Sequence, residues 1–231
     1  MDPRHIGVGG WYHIGLFGVL LPWLAVRSRS RVAGRPLPPL RRHLPGVLLQ
    51  LVALAGLSLL VARVEWIPLF PREMPPLWTV ALGLVLAFLA AAAMYPRWRR
   101  SVGERKRITY LFMPRTGGER AWWIAVACAA GLSEEVSWRG VQWVLLTRLI
   151  GNVWIAAALC VVMFAVAHAL QGGRSVTIIL AFAAAFHALV ALSGSLYVAM
   201  GAHALYDVLA GLGYSRLGEQ LGYPRDPAEL V

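Results

Sequence analysis

The chain has 231 residues, of which 58% are hydrophobic and only 14% are charged, and its mean hydropathy is +0.62. Soluble domains carry about 25% charged residues, so this composition excludes an ordinary soluble protein and predicts a multi-pass membrane protein. The formal net charge of +11 would suggest nucleic-acid binding in a soluble protein, but most of the positive charge lies in two segments between apolar runs. We therefore interpret it as a topology signal and predict no nucleic-acid partner.

Seven apolar runs follow one another along the chain. Since a helix needs about 20 residues to cross a bilayer, we predict an all-α, polytopic membrane helical bundle of about seven transmembrane helices, forming a single membrane domain over residues 1–231. The fourth run is longer than one crossing needs, so we expect it to tilt or to break near Gly140. The predicted spans are residues 6–26, 44–64, 77–95, 121–150, 152–171, 176–192 and 195–214.

Two connecting segments carry most of the basic residues. Residues 27–43 contain six arginines and no acid, and residues 96–120 contain eight Lys or Arg against two Glu. The positive-inside rule places both segments in the cytoplasm and the N-terminus outside. Because four of its residues are Pro or Gly, we expect segment 27–43 to be an irregular loop. The Ala, Gly and Arg-rich composition is typical of a bacterial protein and predicts a multi-pass protein of the inner membrane.

Four residues inside the apolar runs show no pattern that indicates chemistry. His13 lies in the first run, and we expect it at the membrane interface. Cys128 and Cys160 have no paired spacing, so neither a disulfide nor a cysteine metal site is indicated, and we expect both in the core. His187 has no ionisable neighbour three or four residues away, and we interpret it as a packing residue.

Two adjacent acids and an arginine interrupt the fourth run. Each ionised side chain near the bilayer centre costs about 2.5 to 3.5 kcal/mol, so Glu134, Glu135 and Arg139 together represent about 8 kcal/mol before pairing. Glu135 and Arg139 are four residues apart and therefore lie on one helix face, within ion-pairing reach. Glu134 lacks such a partner. An intramembrane acid without a local counter-charge predicts a functional site.

Two later runs contain histidine motifs. Phe164 and His168 are four residues apart in the fifth run, a pattern that on its own is more typical of packing. His203 and Asp207 have the same spacing in the seventh run, near enough to share a hydrogen bond that would fix the imidazole tautomer. A polar clasp between helices explains that second pair equally well.

In combination, Glu-Glu-x-x-x-Arg, Phe-x-x-x-His and His-x-x-x-Asp, in that order on three apolar helices, resemble the CAAX prenyl protease and bacteriocin-processing family of glutamic-type intramembrane endopeptidases. The resemblance covers about residues 121–212 and implies a catalytic core there. It implies that Glu134 and His168 activate a water, with no cofactor and no metal. His203 and the residue at 207 would stabilise the oxyanion. Asp207 stands where the prenyl proteases commonly have Asn, and an ionised Asp cannot donate to an oxyanion.

The chemistry of peptide hydrolysis agrees with these roles, because it requires a base, a partner for the base and donors aimed at the developing negative charge. We interpret Glu135 and Arg139 as a structural ion pair, with contact between Arg139 and a substrate carboxylate as the second interpretation. Helix rise places Glu134 at a depth of about 20 Å and His168 at about 5 Å. A start of the fourth span several residues after Ala121 would bring Glu134 closer to the level of His168, and we expect the site to open to the cytoplasmic half.

Two other classes of function stay open. Glu134, His168 and His203 could hold a divalent ion in a metal-dependent membrane protease, although no His-Glu-x-x-His is present. A non-catalytic membrane module or a proton-coupled carrier could use the same acids as a relay, although the chain has no internal repeat. The predicted partners are the lipid bilayer and a membrane-associated protein or peptide substrate. The sequence does not identify that substrate, and a bacterial origin disfavours a prenylated protein.

Overall fold

Seven helical rods make up the fold of this computed structural model, which describes residues 5–33 and 36–230. Within those ranges every regular element is helical and no strand occurs, which confirms the predicted all-α polytopic bundle. Two rods contain a π-helical segment: α1 comprises Val8–Gly15, π-helical Leu16–Leu20 and Leu21–Ala33, and α4 comprises Gly117–Glu134, π-helical Glu135–Gln142 and Trp143–Ile150. The others are α2 Leu40–Val64, α3 Leu77–Gly103, α5 Val153–Ala167, α6 Gly173–Ser193 and α7 Leu196–Gln220, with short 3-10 turns at Arg107–Phe112, Ala169–Gln171 and Pro227–Glu229.

Five helices among the described residues are long and apolar enough to cross a membrane: Val8–Ser28, Leu40–Val64, Leu77–Gly103, Ser175–Ser193 and Leu196–Gln220. Large apolar side chains point outward from them, as at Leu49 and Leu89, which are 71% and 63% exposed. Such an apolar exterior is the surface that lipid covers. The chain is therefore a multi-pass membrane protein. Its two remaining rods are α4, which carries the buried charges, and α5, an apolar helix of 15 residues.

Helix α4 occupies the centre of the bundle, between α2 and α7, and α7 also packs against α3. Helices α5 and α6 pack on each other, and α5 contacts the C-terminal part of α4. Close approach of α4 to α7 depends on Gly131. A Cβ at that position would lie 2.6 Å from the Met200 carbonyl oxygen and 2.9 Å from the Ala204 nitrogen, so only glycine fits.

Helices begin and end differently from the prediction at both basic segments. The predicted irregular loop at 27–43 is too long, because α1 continues to Ala33 and α2 begins at Leu40. Arginine is a good helix former, and the Gly and Pro residues of that segment start only at residue 34. Residues 34 and 35 lie outside the described part of the chain. Helix α3 likewise runs past Pro96 to Gly103.

Helix α4 begins at Gly117, before the predicted start at Ala121, so a late start does not bring Glu134 to the level of His168. Thr116 and Glu119 form a capping box there: the Thr116 hydroxyl accepts from the Glu119 amide, and the Glu119 carboxylate accepts from the Thr116 amide. Helix α5 has 15 residues and is only about 22 Å long, so it is too short to cross the roughly 30 Å hydrocarbon core from one side to the other.

Two further expectations are corrected by the packing. His13 is not interfacial but buried, with its Nδ1 2.9 Å from Gln142 Oε1 and its Nε2 3.0 Å from Ser58 Oγ. It can be buried because partners on α2 and α4 satisfy both ring nitrogens. Cys128 is exposed rather than in the core, since it shares with Ile124 the face of α4 that points away from the bundle. Cys160 is buried, as predicted.

Candidate active site

The change from α- to π-helical geometry within α4 falls between the two adjacent acids. Glu134 ends the α-helical part, and Glu135 begins the π-helical segment. The two side chains occupy different environments: Glu134 is 21% exposed, whereas Glu135 is fully buried. π-Helical turns occur mostly as single interruptions of α-helices and frequently at functional sites. In α4 the π-helical segment begins where the Glu134 carboxylate faces a cavity and the Glu135 carboxylate faces the protein interior.

The cavity next to Glu134 has a volume of about 380 Å³ and is lined by residues of all helices from α2 to α7. All four predicted catalytic residues line it. Glu134 projects from α4, His168 from the end of α5, and His203 and Asp207 from α7. Most of the remaining wall is aromatic or aliphatic, including Trp98, Phe112, Phe164, Phe182, Phe186, Tyr206 and Tyr214.

Three polar contacts connect these four side chains, and all three are longer than a direct hydrogen bond. Glu134 Oε2 lies 3.7 Å from His168 Nε2 and 3.8 Å from His203 Nε2. His203 Nε2 lies 3.7 Å from Asp207 Oδ2. At such separations a bridging water, or an oxygen of a substrate, can satisfy both groups at once. The carboxylate that had no partner along its own helix therefore meets two imidazoles from other helices.

The tautomer of His168 follows from its contact with the backbone. Nδ1 of His168 is 2.8 Å from the carbonyl oxygen of Phe164. A carbonyl oxygen can only accept, so Nδ1 carries the proton and donates it. In the neutral ring Nε2 is then the unprotonated nitrogen, and this is the nitrogen that faces Glu134. A water between them could donate one hydrogen to Glu134 and the other to His168.

Glu135, and not Asp207, holds the imidazole of His203. The distance from His203 Nδ1 to Glu135 Oε1 is 2.8 Å, and Asp207 is too distant for the hydrogen bond predicted from the i, i+4 spacing. Asp207 is instead held through its backbone, because Trp123 Nε1 donates to the Asp207 carbonyl oxygen at 2.9 Å. The adjacent acids of α4 thus face both nitrogens of one ring, Glu135 at Nδ1 and Glu134 at Nε2.

The predicted pairing of Glu135 with Arg139 is present in a fully buried cluster beneath the cavity. Arg139 NH1 donates to Glu135 Oε1 at 3.1 Å, and both side chains are 0% exposed. The guanidinium carbon lies 4.4 Å from the ring centroid of Phe164, which separates it from the cavity. Arg139 does not line the cavity, so its position favours the structural interpretation over contact with a substrate.

Residues 116–209 match a family model described as "Type II CAAX prenyl endopeptidase Rce1-like". Because of this similarity, we refer to the matched residues, which make up less than half of the chain, as the Rce1-like core. The match agrees with the resemblance of the three motifs, and the family it describes is one of membrane endopeptidases. The matched residues include every member of the cluster, from Glu134 to Asp207. No curated protein and no solved structure matches the chain.

Two residues near the Rce1-like site have contacts that their sequence neighbours do not indicate. His187 packs in the interior, as predicted, but its Nδ1 also lies 3.3 Å from Arg139 Nε. Their separation of 48 residues leaves no spacing signal. Arg97 lines the cavity from α3, outside the matched residues, and the sequence does not distinguish it from the other arginines of the basic segment.

No metal ligand set is found in the described ranges, 5–33 and 36–230. No group of three or more His, Cys, Asp or Glu side chains there is arranged to hold a metal ion. Glu134, His168 and His203 do converge, and their closest atoms are 3.7 to 3.8 Å apart. Removal of metal with a chelator tests whether the site needs an ion.

Proposed function

We propose that the Rce1-like core is an intramembrane endopeptidase that cleaves a membrane-associated protein or peptide with a water activated by Glu134 and His168. The observation that carries the proposal is the approach of Glu134 Oε2 to His168 Nε2, at 3.7 Å, inside a cavity large enough for a peptide segment. Catalytic contacts in unliganded sites are often long and tighten when substrate binds. The separation therefore suits a shared water.

In the proposed reaction the water donates to Glu134 and to His168, and its oxygen attacks the scissile carbonyl carbon. Glu134 takes the proton as the new C–O bond forms, and the carbonyl oxygen becomes an oxyanion. The proton then passes from Glu134 to the amide nitrogen, the C–N bond breaks, and a carboxylic acid and an amine result. His168 stays oriented throughout by its hydrogen bond to the Phe164 carbonyl.

His203 is the proposed donor to the oxyanion. Because its Nδ1 donates to Glu135, Nε2 carries a hydrogen only when the ring is an imidazolium, and Glu135 provides the carboxylate that holds such a ring in place. Its Nε2 points into the cavity beside Glu134, where the oxyanion would form. Asp207 could donate directly only in its protonated form. We therefore assign it a supporting role on the polar side of the cavity.

The cavity suggests how the substrate reaches the site. Its lining includes Arg97 and Phe112, which belong to the basic segment at residues 96–120. With that segment in the cytoplasm and the N-terminus outside, the cavity would open to the cytoplasmic half of the membrane. The apolar and aromatic wall suits apolar side chains or a lipid-anchored segment. We propose a bacterial inner-membrane location on composition alone.

Peptide profiling tests the function with an unidentified substrate. Purified protein in phosphatidylcholine liposomes is incubated with a peptide library prepared from a bacterial proteome, and new termini are identified by mass spectrometry. Wild-type protein should produce cleavages that Glu134→Gln reduces at least about 100-fold, since general base catalysis contributes 10² to 10⁴. Glu219→Gln, at an exposed acid of α7, is the matched control and should cleave normally. Absence of wild-type cleavage, or full cleavage by Glu134→Gln, would overturn the proposal.

A further inference from the structure

A second cavity, of about 420 Å³, adjoins the active-site cavity on the side of the basic segment. The two share Arg97, Ser175 and Tyr214 in their linings, so they meet at these side chains. The second cavity is also lined by Arg100 and Lys106. A space with three basic side chains therefore leads directly into the space that holds Glu134 and His168.

Two of the three basic side chains at this junction have no ion-pair partner among the described residues. Within the described ranges no carboxylate forms an ion pair with Arg97 or Arg100, whereas Lys106 pairs with Glu104 at 2.8 Å. Arg97 is partly buried and donates to one neutral acceptor, Ser175 Oγ, at 3.0 Å. A guanidinium has five N–H donors, so most of its donor capacity remains available to a ligand. Arg139, by contrast, is fully buried against Glu135 and lines neither cavity.

Hydrogen bonds connect Arg97 to the turn that carries His168. Ser175 Oγ, which accepts from Arg97, donates in turn to the carbonyl oxygen of Gln171 at 2.8 Å. The Gln171 amide donates to the carbonyl oxygen of His168 at 3.0 Å. These contacts hold the guanidinium at a fixed place beside the active site. An anion bound there would lie next to His168 rather than at an arbitrary point on the surface.

We propose that Arg97, assisted by Arg100, is a carboxylate-binding subsite that positions the peptide beside Glu134 and His168. The planar guanidinium matches a carboxylate with two parallel hydrogen bonds, and partial burial strengthens such a contact. The carboxylate is either the free C-terminus of the peptide or an Asp or Glu side chain near the scissile bond. This inference rests on the proposed function, and it assigns to Arg97 the substrate contact that the sequence suggested for Arg139.

Binding to a cleavage-inactive protein tests the subsite separately from catalysis. The probe is an acetylated library of apolar hexapeptides in three forms: a free C-terminal acid, a C-terminal amide, and an amide with one internal Glu. Glu134→Gln protein in phosphatidylcholine nanodiscs is incubated with each form, and bound peptides are quantified by mass spectrometry. We expect one or both carboxylate forms to be retained about tenfold more than the neutral amide, as one charge-assisted hydrogen bond would give. Whichever form is retained identifies the source of the carboxylate.

Matched arginine variants make the test specific. In the Glu134→Gln background, Arg97→Gln should abolish the preference, while Arg97→Lys should keep part of it. Arg99→Gln is the control, because Arg99 is an exposed arginine of the same helix turn that lines neither cavity. Equal retention of all three forms, or a preference that survives Arg97→Gln, would overturn the subsite. Unchanged thermal unfolding of Arg97→Gln excludes misfolding, and if that variant unfolds early, Ser175→Ala provides a milder loss of the same orientation.

The two proposals can fail independently. Peptide cleavage by wild-type protein together with equal binding of the three forms would overturn the subsite and leave the endopeptidase. A carboxylate preference without any cleavage by wild-type protein would overturn the endopeptidase and leave a peptide-binding cavity.

Discussion

The two sides of His203 differ in how closely their polar groups approach. On the Nδ1 side, Glu135 and Arg139 are fully buried and their contacts are 2.8 and 3.1 Å long. On the Nε2 side, Glu134 and Asp207 are partly exposed in the cavity and their contacts are 3.7 to 3.8 Å long. Short, buried contacts fix a side chain in one orientation, whereas longer contacts beside a cavity leave space for a reactant.

Two adjacent residues of one helix therefore have different roles: Glu135 belongs to the buried cluster that supports the fold, and Glu134 belongs to the cavity cluster to which we assign the reaction. Removing a member of the buried cluster leaves a charge unpaired in a fully buried position, which destabilises the fold. Removing a member of the cavity cluster leaves the remaining groups accessible to solvent, so the fold should survive and only the reaction should stop.

Replacing Arg139 should give the largest effect on stability. Arg139→Ala leaves Glu135 buried without its cation, and breaking a buried pair in this way costs about 3 to 5 kcal/mol. We expect a strongly reduced protein level and a lower unfolding temperature. Unfolding is measured by tryptophan fluorescence in detergent. The double change Glu135→Gln with Arg139→Met removes both charges and should recover much of the stability but not the cleavage. Wild-type stability of Arg139→Ala would contradict the assignment of this cluster to structural support.

Gly131→Ala should lower the stability less than Arg139→Ala does, but it should also slow cleavage. The new methyl group meets the backbone of Met200 and Ala204, which cannot move aside as a flexible side chain would. Overpacking of this kind costs about 1 to 3 kcal/mol, and it shifts α4 relative to the helix that carries His203. We expect a lower unfolding temperature and slower cleavage in the same liposome assay.

Gly201→Ala is the matched control for this change, because no atom lies within 4 Å of a Cβ at position 201. It should be neutral or slightly stabilising, since Ala favours a helix over Gly by about 1 kcal/mol. Equal behaviour of the two alanine variants would show that the close approach at Gly131 is not what positions α4.

Asp207→Asn should have little effect on cleavage. Glu135 already holds His203, and an Asn side chain can donate to an oxyanion. We expect an unchanged or higher rate, with any loss below about tenfold, equivalent to about 1.4 kcal/mol. The measurement is the initial rate on one cleaved library peptide. A larger loss would mean that the carboxylate of Asp207 is required, and the roles of Glu135 and Asp207 would have to be exchanged.

Metal removal should leave the rate unchanged. Purified protein is treated with a strong chelator, its metal content is measured, and cleavage is assayed in parallel. Proton transfer to Glu134 from a water held by His168 needs no Lewis acid, so the treated and untreated samples should have the same rate. Stoichiometric zinc together with activity that is lost on chelation and restored by zinc would instead favour the metal-dependent protease.

Local spacing predicts those parts of the site that lie on one helix face. The pairing of Glu135 with Arg139 follows from an i, i+4 separation, and the unpartnered state of Glu134 along its own helix follows from the lack of one. The bonds from Glu135 to His203 and from Arg139 to His187 join different helices, and spacing along one helix contains no information about them. For this reason, spacing alone predicts a hydrogen bond between His203 and Asp207, whereas the structure has that hydrogen bond between His203 and Glu135.

The same limit applies to the fold. The order of the helices and their apolar character follow from composition, but burial of His13 depends on Ser58 and Gln142, which lie 45 and 129 residues away. The start of α4, in contrast, can be predicted from the sequence, because Thr116 and Glu119 have the spacing of a capping box. The apolar run begins later than the helix does, so hydropathy alone places the start of α4 too late.

The π-helical segment Glu135–Gln142 has a consequence for the phase of α4. Each residue of an α-helix advances the chain by about 100° around the axis, so one additional residue in a turn rotates everything after it by about that angle. The half of α4 before the segment packs against α2 and α7, and the half after it packs against α5. Because of this rotation, the apolar face of the first half of α4 points to α2 and α7, whereas that of the second half points to α5. Removing a single residue from the segment would bring the two apolar faces into phase and turn one half of the helix away from its neighbours.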